Sequence, residues 1–268
     1  VAQECIVAIP ADLNWDGCIT TNDLLDFLPE HGQCPPLPEW PGYPDEEVFS
    51  SCACNYEESV HYHGYAYDIV AIGNQCWFAE NLRTQSYRNG TPIPFAGLDA
   101  DWSAAHQSGT GSWCYPNGDP VKASYYGLMY NHWLIMNGVD EVCPNGWHVP
   151  SDSEFLELEM HMGMSLDTAL LTDWRGTDEG TRLKASPSDS PGWNGTNEVG
   201  FGWVQGGWRH VSGSYGYIDH LGLLMFTPSS ISEGNAYGIR QVGNNSGGVV
   251  RSFGGNAGEG RSLRCIKD

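Results

Sequence analysis

The segment that most constrains the fold of this 268-residue chain is residues 142–155, which read V-C-P-N-G-W-H-V-P-S-D-S-E-F. Pro144-Asn145-Gly146 predicts a turn, because proline presets φ and Asn-Gly tolerates a positive φ. Trp147 and Val149 then alternate with polar residues, which predicts a short, half-buried strand that ends at Pro150.

A helix is predicted directly after this strand. Ser151-Asp152-Ser153-Glu154 matches a capping box, in which the serine hydroxyl accepts from the N3 amide and the glutamate reaches back to the N-cap. The helix should extend to about Met162 and end at Gly163. Phe155, Leu158 and Met162 would form its inner face. A turn, a strand and a capped helix in one short segment mark the centre of a domain.

The composition indicates which partners the chain can have. Glycine is abundant at 34 residues, and there are 11 Trp and 13 Tyr but only 12 Lys and Arg together, which favours a loop-rich domain with an aromatic core. The formal net charge of −21 argues against nucleic acids and anionic membranes, because both would be repelled. Divalent cations and neutral glycans stay compatible with it. No apolar run approaches the roughly 18 residues of a membrane span, so no membrane insertion is expected.

The nine cysteines indicate the compartment. None forms a C-x-x-C pair, and Cys52-Ala53-Cys54 is too tight for common zinc spacings. Scattered cysteines in an acidic, glycine-rich chain predict disulfides, and therefore a secreted or cell-surface protein. Val1-Ala2-Gln3 is consistent with a mature terminus after leader removal. Because the count is odd, one thiol stays free or one cysteine forms a symmetric bridge between two copies.

Residues 12–23, D-L-N-W-D-G-C-I-T-T-N-D, form the most specific motif in the chain. Oxygen-bearing side chains occupy loop positions 1, 3, 5, 9 and 12, with Gly17 at position 6 and Ile19 at position 8, as in an EF-hand calcium loop. The alternative is an Asx-rich surface turn without an ion. We expect a bound Ca²⁺ whose ligands are Asp12, Asn14, Asp16, the Cys18 carbonyl, Thr20 and Asp23.

This loop resembles the calcium repeat of dockerin modules over about residues 11–34. Dockerins carry two such repeats and only one is visible here, so the resemblance does not imply cohesin binding. Residues 1–34 are therefore expected to form an N-terminal strand and a small dockerin-like calcium module. Residues 35–50 are proline-rich and predict a stiff spacer near polyproline II.

The β-prone run at residues 4–9, E-C-I-V-A-I, has two interpretations. It can pair within its own domain, or it can be an edge strand that another subunit receives, because an unpaired strand seeks a sheet edge. The second interpretation predicts head-to-tail self-association through residues 1–50.

A second domain is expected from residue 51 to residue 268. Residues 65–72 and 75–82 predict a β-hairpin around Gly73-Asn74. His61, His63, Tyr65 and Tyr67 are interpreted as one face of a strand, as a surface ladder rather than a metal site. Residues 89–119 predict long loops. Residues 125–137 predict a buried strand followed by a short helical turn. Short strand-and-loop pieces are predicted at 182–184, 197–203, 206–209, 227–240, 249–253 and 261–266.

Several short sequence motifs of this domain resemble the Fibrobacter succinogenes major paralogous domain family over about residues 60–268. The matching words are Ile72-Gly73-Asn74-Gln75 with Trp77 and residues 79–82, residues 126–131, residues 142–155, Leu183-Lys184, Asn197 with Gly200-Phe201, Gly207 with Arg209, and residues 261–268. The resemblance implies a secreted bacterial α+β domain with a C-type-lectin-like fold, similar also to the formylglycine-generating enzyme superfamily. Short antiparallel strands, few helices and long loops are expected.

We expect two disulfides in this domain, Cys143–Cys265 and Cys76–Cys114. The pairing of the remaining cysteines stays open from the sequence. These are Cys5, Cys18, Cys34, Cys52 and Cys54.

The lectin resemblance does not extend to a calcium–sugar site. The motifs most similar to those of a calcium–sugar site are Tyr115-Pro116-Asn117 and Trp193-Asn194-Gly195. Both lack the carboxylates that such a site uses. Tryptophans in glycine-rich loops can still stack on sugars, although a core position is the commoner fate of this residue. The candidate ligand-binding residues are Trp102, Trp113, Trp193 and Trp208.

No enzymatic activity is expected from the motifs present. The chain has no G-x-S-x-G, H-E-x-x-H or P-loop word, and Glu157 with His161 is interpreted as an exposed polar pair. Cys143 and Cys265 are interpreted as a disulfide rather than as paired catalytic thiols. Short acceptor words for glycosylation occur at Asn89, Asn194 and Asn244, and at Thr168 within Asp167-Thr168-Ala169.

These features predict a secreted, calcium-binding structural or adhesive protein. The main hypothesis is a subunit of an extracellular fibre or surface assembly, joined through its N-terminal segment. The alternative is a monomeric carbohydrate-binding or adhesion module that uses exposed aromatic side chains.

Overall fold

The computed structural model describes residues 53–55, 57–136, 142–226, 238–253 and 256–268. The predicted N-terminal strand, calcium loop and spacer, with all six expected calcium ligands, lie outside the described residues. Within them the chain has a mixed α+β fold, in which short antiparallel strands build three sheets and the helices are few and short. None of the helices in these ranges has the length and apolar composition needed to cross a membrane.

The first sheet has the strand order β1-β2-β3-β14-β6. Its central β2–β3 hairpin turns at Gly73, with Ile72 opposite Gln75, so the predicted hairpin is confirmed. The strands are β1 Ser59–Tyr62, β2 Tyr65–Ile72, β3 Gln75–Phe78, β6 Trp147–His148 and β14 Ile266–Lys267.

The second sheet has the order β10-β11-β12-β7. The predicted strand at residues 249–253 is confirmed, and it pairs with β11 on one side and with β7 on the other. The strands are β7 Asp173–Arg175, β10 Leu221–Phe226, β11 Gly238–Gly243 and β12 Val249–Phe253.

The third sheet has the order β4-β5-β13-β8-β9. The predicted last strand is therefore two short strands in different sheets, because β13 belongs here and β14 to the first sheet. The strands are β4 Trp113–Cys114, β5 Met129–Asn131, β8 Trp208–Arg209, β9 Tyr215–Gly216 and β13 Gly260–Arg261.

The capped helix α4 confirms the prediction from residues 142–155. The Ser151 hydroxyl accepts from the Glu154 amide, and the Glu154 carboxylate accepts from the Ser151 amide. The described helices are α1 Asp99–Ser108, α2 Pro120–Tyr126, α3 Trp133–Met136, α4 Asp152–His161, α5 Leu166–Ala169 and α6 Glu179–Leu183, with a 3-10 turn at Pro116–Gly118.

Three local predictions were wrong. Residues 89–119 were expected to be loops, but they include α1, whose first turn is acidic and whose Trp102 and Ala105 are buried. Arg182 and Leu183 belong to the helix α6 rather than to a strand. His61 and Tyr65 do not share one strand, because His63 and Gly64, both at positive φ, form the turn between β1 and β2.

One of the two predicted disulfides is present and the other is wrong. Cys143 bonds to Cys265, whereas Cys76 bonds to Cys54. Cys114 is a buried free thiol on β4, in a separate core cluster with Trp102 and Met129. Burial raises the pKa of Cys114 to about 11, and its neighbours are Arg209 and Tyr215 rather than a second thiol. The predicted Cys76–Cys114 bridge fails because the two cysteines lie on different sheets.

The last eight residues before the terminal Asp268 connect all three sheets. β13 lies inside the third sheet and β14 inside the first, while the Ser262 carbonyl accepts from Met225 of β10 in the second. Between them, the buried Arg264 donates to the carbonyls of Phe201 and Gly202 and to the amide oxygen of Asn81.

Helix α4 is attached to the second sheet by a buried ion-pair network. The Glu159 carboxylate accepts from Arg175 at 2.8 Å and from Arg240 at 2.8 Å, and all three side chains are at most 1% exposed. Asp152 at the start of α4 pairs with Arg240 and with Arg251 of β12. Removing one partner from such a network leaves an uncompensated buried charge.

We predict that Glu159→Gln lowers the free energy of unfolding by about 3–5 kcal/mol, because two buried guanidinium groups lose their shared carboxylate. Glu157→Gln on the exposed face of the same helix is the matched control and should change it by less than about 0.5 kcal/mol. Urea unfolding monitored by tryptophan fluorescence measures both. Equal, small changes in the two variants would show that the network contributes little.

The C-terminus is held by a histidine between two carboxylates. His148 Nε2 lies 2.7 Å from Glu154 of α4, and Nδ1 lies 2.6 Å from Asp268. The hydrogen bond with Glu154 raises the pKa of His148 most strongly, burial opposes it, and Asp268 adds to the rise, so the pKa reaches about 9. Both ring nitrogens are occupied, which favours a structural role.

The raised pKa of His148 predicts a pH-dependent contribution to stability. The contribution is complete below the unfolded-state pKa of about 6.5 and is lost as the pH rises through about 9. His148→Gln should therefore be less stable than the wild type by about 1–2 kcal/mol near pH 6, a value reduced by solvent screening, and nearly equal to it at pH 10. His61→Gln, on the exposed edge strand, is the control. If the free energy of unfolding of His148→Gln stays below that of the wild type by the same amount from pH 6 to pH 10, this interpretation is contradicted.

Candidate functional site

The four tryptophans predicted as ligand platforms do not form one. Trp102, Trp113 and Trp193 are buried in the core, so their predicted role in ligand binding is wrong. Trp102 packs under the Arg209 guanidinium, which lies 4.7 Å from its ring. Trp208 is half-buried and packs against the core cluster that contains Trp102, Cys114 and Met129. The glycine-rich flanks of these residues indicate close packing rather than exposed loops.

A surface groove lies instead at the second sheet, with a volume of about 680 Å³. Two large aromatic side chains flank it, because Trp174 is 48% exposed and Tyr217 is 60% exposed. The groove floor adds amide, imidazole and hydroxyl groups. The lining residues are Trp174, Tyr217, His220, Leu221, Gly243, Asn244, Asn245 and Ser246.

The sheet register explains how the groove forms. Trp174 lies on the edge strand β7 opposite Val250, and Leu221 lies opposite Gly243 at the end of the β10–β11 pair. A side chain at position 243 would have its Cβ 2.9 Å from Leu221 and 3.4 Å from the Trp174 ring. Glycine at this position therefore keeps the floor open between the two strands.

Left-handed backbone conformations cluster around the groove. Tyr217 has φ 54°, Asp219 has φ 68° and Asp173, next to Trp174, has φ 62°. Such conformations are costly for a non-glycine residue, most of all for a bulky one such as tyrosine, and they persist where the surroundings enforce them. Here they place the Tyr217 and Trp174 side chains outward.

Asp219 holds the strained turn against helix α2. Its carboxylate accepts from Lys122 at 2.7 Å and from the Tyr126 hydroxyl at 2.7 Å. Burial raises the pKa of Asp219, but the hydrogen bonds from Lys122 and Tyr126 outweigh burial and lower the pKa below its usual value. The negative charge beside the groove is thus compensated by Lys122.

The loop after β11 is anchored from below. Lys184 is buried and donates to the carbonyls of Gly243 at 3.0 Å and Ser246 at 3.3 Å, and burial lowers the pKa of its amine. The Asn194 amide donates to the Asn244 carbonyl at 2.7 Å. These contacts fix the main chain of the groove floor.

The side chain of Asn244 links the core to the groove. Its amide oxygen accepts from the indole N–H of Trp193. Its amide nitrogen lies 3.1 Å from His220 Nδ1, and its main-chain amide donates to the His220 carbonyl at 3.2 Å.

The groove offers flat apolar rings beside neutral hydrogen-bonding groups. No Asp, Glu, Lys or Arg is among its lining residues, and no His, Cys, Asp and Glu cluster of metal-binding geometry occurs in the described part of the chain. Such a surface can stack on an apolar ring face and exchange hydrogen bonds with hydroxyl groups.

The four predicted glycosylation sites differ in their surroundings. Asn89 is exposed in a turn, and Asn194 is exposed although its amide is hydrogen-bonded. Asn244 is half-buried in the floor of the groove, and the Thr168 hydroxyl accepts from Ser165 at the start of α5. Modification at Asn244 would break the contact with His220. All four stay predictions.

Sequence reasoning missed Trp174 and Tyr217. Trp174 is preceded by Leu170 and Leu171 in a segment that reads like core, and Tyr217 stands in a Gly- and Ser-rich loop similar to those of the buried tryptophans. The exposed position of Trp174 depends on the long-range pairing of β7 with β12, which no local pattern contains.

The chain matches a protein-family model but no individual known protein. No curated protein and no solved structure matches the chain. Residues 70–267, most of the chain, match the Fibrobacter succinogenes major domain. The protein therefore belongs to the Fibrobacter succinogenes major domain family.

Proposed function

We propose that the described domain is an extracellular carbohydrate-binding adhesion module. The observation that carries this proposal is the groove whose lining includes the exposed side chains of Trp174 and Tyr217. Exposed aromatic side chains that share one groove form an apolar surface of the kind that marks interaction sites. Amphipathic rings beside amide and hydroxyl groups suit a ligand that has both apolar faces and hydroxyls.

Two further features support a binding role outside the cell. The Cys54–Cys76 and Cys143–Cys265 disulfides suit an oxidising compartment. The His148 imidazole pairs with Glu154 and Asp268 and is not among the groove residues. We propose binding without catalysis.

We predict that Trp174→Ala and Tyr217→Ala each weaken binding of a glycan selected on an array by about tenfold or more, because each variant removes a stacking surface. Tyr125→Ala, at a tyrosine 47% exposed on the separate helix α2, is the matched control and should bind like the wild type. Isothermal titration calorimetry measures the affinities, and circular dichroism verifies folding. An array without any bound glycan, or unchanged affinity in both groove variants, would exclude this function.

A second proposal concerns the N-terminal module and rests on the oxygen pattern of residues 12–23. We propose that this loop binds Ca²⁺ and that residues 1–50 join copies head to tail into a fibre or surface assembly. Adhesive domains repeated along such an assembly would gain avidity for a surface that carries many glycans.

We predict one high-affinity Ca²⁺ site in the full chain, which Asp12→Ala with Asp16→Ala abolishes because two carboxylate ligands are lost. Glu46→Ala in the acidic stretch of the spacer should leave calcium binding unchanged. Deletion of residues 1–10 should retain calcium binding but reduce assembly in analytical ultracentrifugation with calcium. A wild-type protein that binds no calcium in titration calorimetry would refute the site. A protein that stays monomeric at high concentration would refute the assembly.

A further inference from the structure

We infer that the groove selects neutral sugar residues, and that His220, held as the Nε2–H tautomer by a relay from Trp193 through Asn244, is its specificity-determining hydrogen-bond donor. The ligand class rests on the proposed carbohydrate function. The tautomer rests on the hydrogen-bond geometry alone.

The hydrogen-bond relay starts at the indole N–H of Trp193. An indole N–H is a donor and never an acceptor. The Trp193 indole nitrogen faces the amide oxygen of Asn244, and the opposite amide orientation would put two donors against each other. Trp193 is only 7% exposed, so water cannot easily replace its partner. The orientation of the Asn244 amide is therefore fixed by the core.

The second step transfers this orientation to the imidazole. With its oxygen on Trp193, Asn244 presents its NH₂ group to His220 Nδ1 at 3.1 Å. That nitrogen must accept, so in the neutral ring the proton resides on Nε2. His220 is exposed and lines the groove, so Nε2–H is available as a donor to a ligand oxygen.

The relay is held in place by the main chain around it. The Asn244 amide donates to the His220 carbonyl, and the Asn244 carbonyl accepts from Asn194. Lys184 fixes the carbonyls on both sides of this residue. The donor at position 220 is thus preorganised, which reduces the entropy lost on binding.

The charge distribution defines the ligand class. Lys184, a nearby buried cation, donates to the Gly243 carbonyl beneath the groove floor. Lys122 is paired with Asp219. An anionic sugar would therefore find no cation among the lining residues and would meet a chain of net charge −21. A neutral pyranose can place its apolar face on Trp174 or Tyr217 and a hydroxyl or ring oxygen on His220.

Nitrogen-15 NMR of histidine-labelled protein at pH 8 tests the relay without any ligand, because neutral imidazoles show distinct shifts for the two tautomers. The His220 signal is assigned by its absence in His220→Gln. We expect the Nε2–H tautomer in the wild type. In Asn244→Asp, whose side chain can only accept, we expect the proton on Nδ1. A wild-type Nδ1–H tautomer, or no change in Asn244→Asp, would overturn the relay.

Binding assays test the specificity. Neutral oligosaccharides are compared with uronic-acid and sulfated ones of the same length. We expect anionic sugars to bind at least tenfold more weakly. We expect about fivefold loss for neutral sugars in Asn244→Asp and His220→Phe. His220→Gln, whose amide nitrogen can occupy the Nε2 position, should stay within about twofold of the wild type.

The outcomes separate the two proposals. Equal affinity for anionic sugars, or unchanged affinity in His220→Phe, overturns the specificity while the carbohydrate function stands. Binding of no sugar at all, with the expected tautomer present, overturns the carbohydrate function and the ligand class but retains the relay.

Discussion

The fold depends on the C-terminal segment that enters all three sheets. β13 lies between β5 and β8, β14 lies between β3 and β6, and Ser262 meets β10. None of these strands is long enough to be stable alone. Arg264 adds charged hydrogen bonds to the carbonyls of Phe201 and Gly202 and to the Asn81 side chain. Cys265 adds a covalent link to Cys143. A segment of this kind forms only when the sheets are already close, so the sheets and the segment stabilise each other cooperatively.

This closure also positions the groove, because β10 meets the C-terminal segment at Leu224 and Ser262 and contributes Leu221, its first residue, to the groove lining. The Glu159 network attaches α4 to Arg175 of β7 and Arg240 of β11, the two strands that bear Trp174 and Gly243. The left-handed residues Tyr217 and Asp219 can persist at the groove because rigid elements surround them. An aromatic ring held outward on such a frame loses little conformational freedom on binding a ligand, which favours affinity.

Local chemistry was predictable from the sequence, and long-range pairing was not. The capping box at Ser151 and the turn at Gly73 depend on residues a few positions apart, so the pattern contains the whole cause. The partner of Cys76 depends on which cysteine the tertiary fold brings beside β3, and the sequence holds no local signal for that choice. Burial of Trp102 and Trp193 follows from the same long-range packing, as does the exposure of Trp174. The groove was therefore invisible to motif reasoning, although three of its polar residues lie in one short stretch at 244–246.

The contrast between the buried and exposed tryptophans explains why so aromatic a chain can carry a selective site. Buried rings such as Trp102 and Trp193 pack against arginine, lysine or amide partners, so they fix the geometry of the core rather than stack on a ligand. Trp174 lies at the edge of its sheet with nearly half of its surface exposed to solvent, where its stacking capacity stays open. Trp193 still contributes to the site, because its indole donor orients Asn244. The core thereby determines which hydrogen bonds the surface can offer, and a groove without charged lining groups can discriminate through donor geometry.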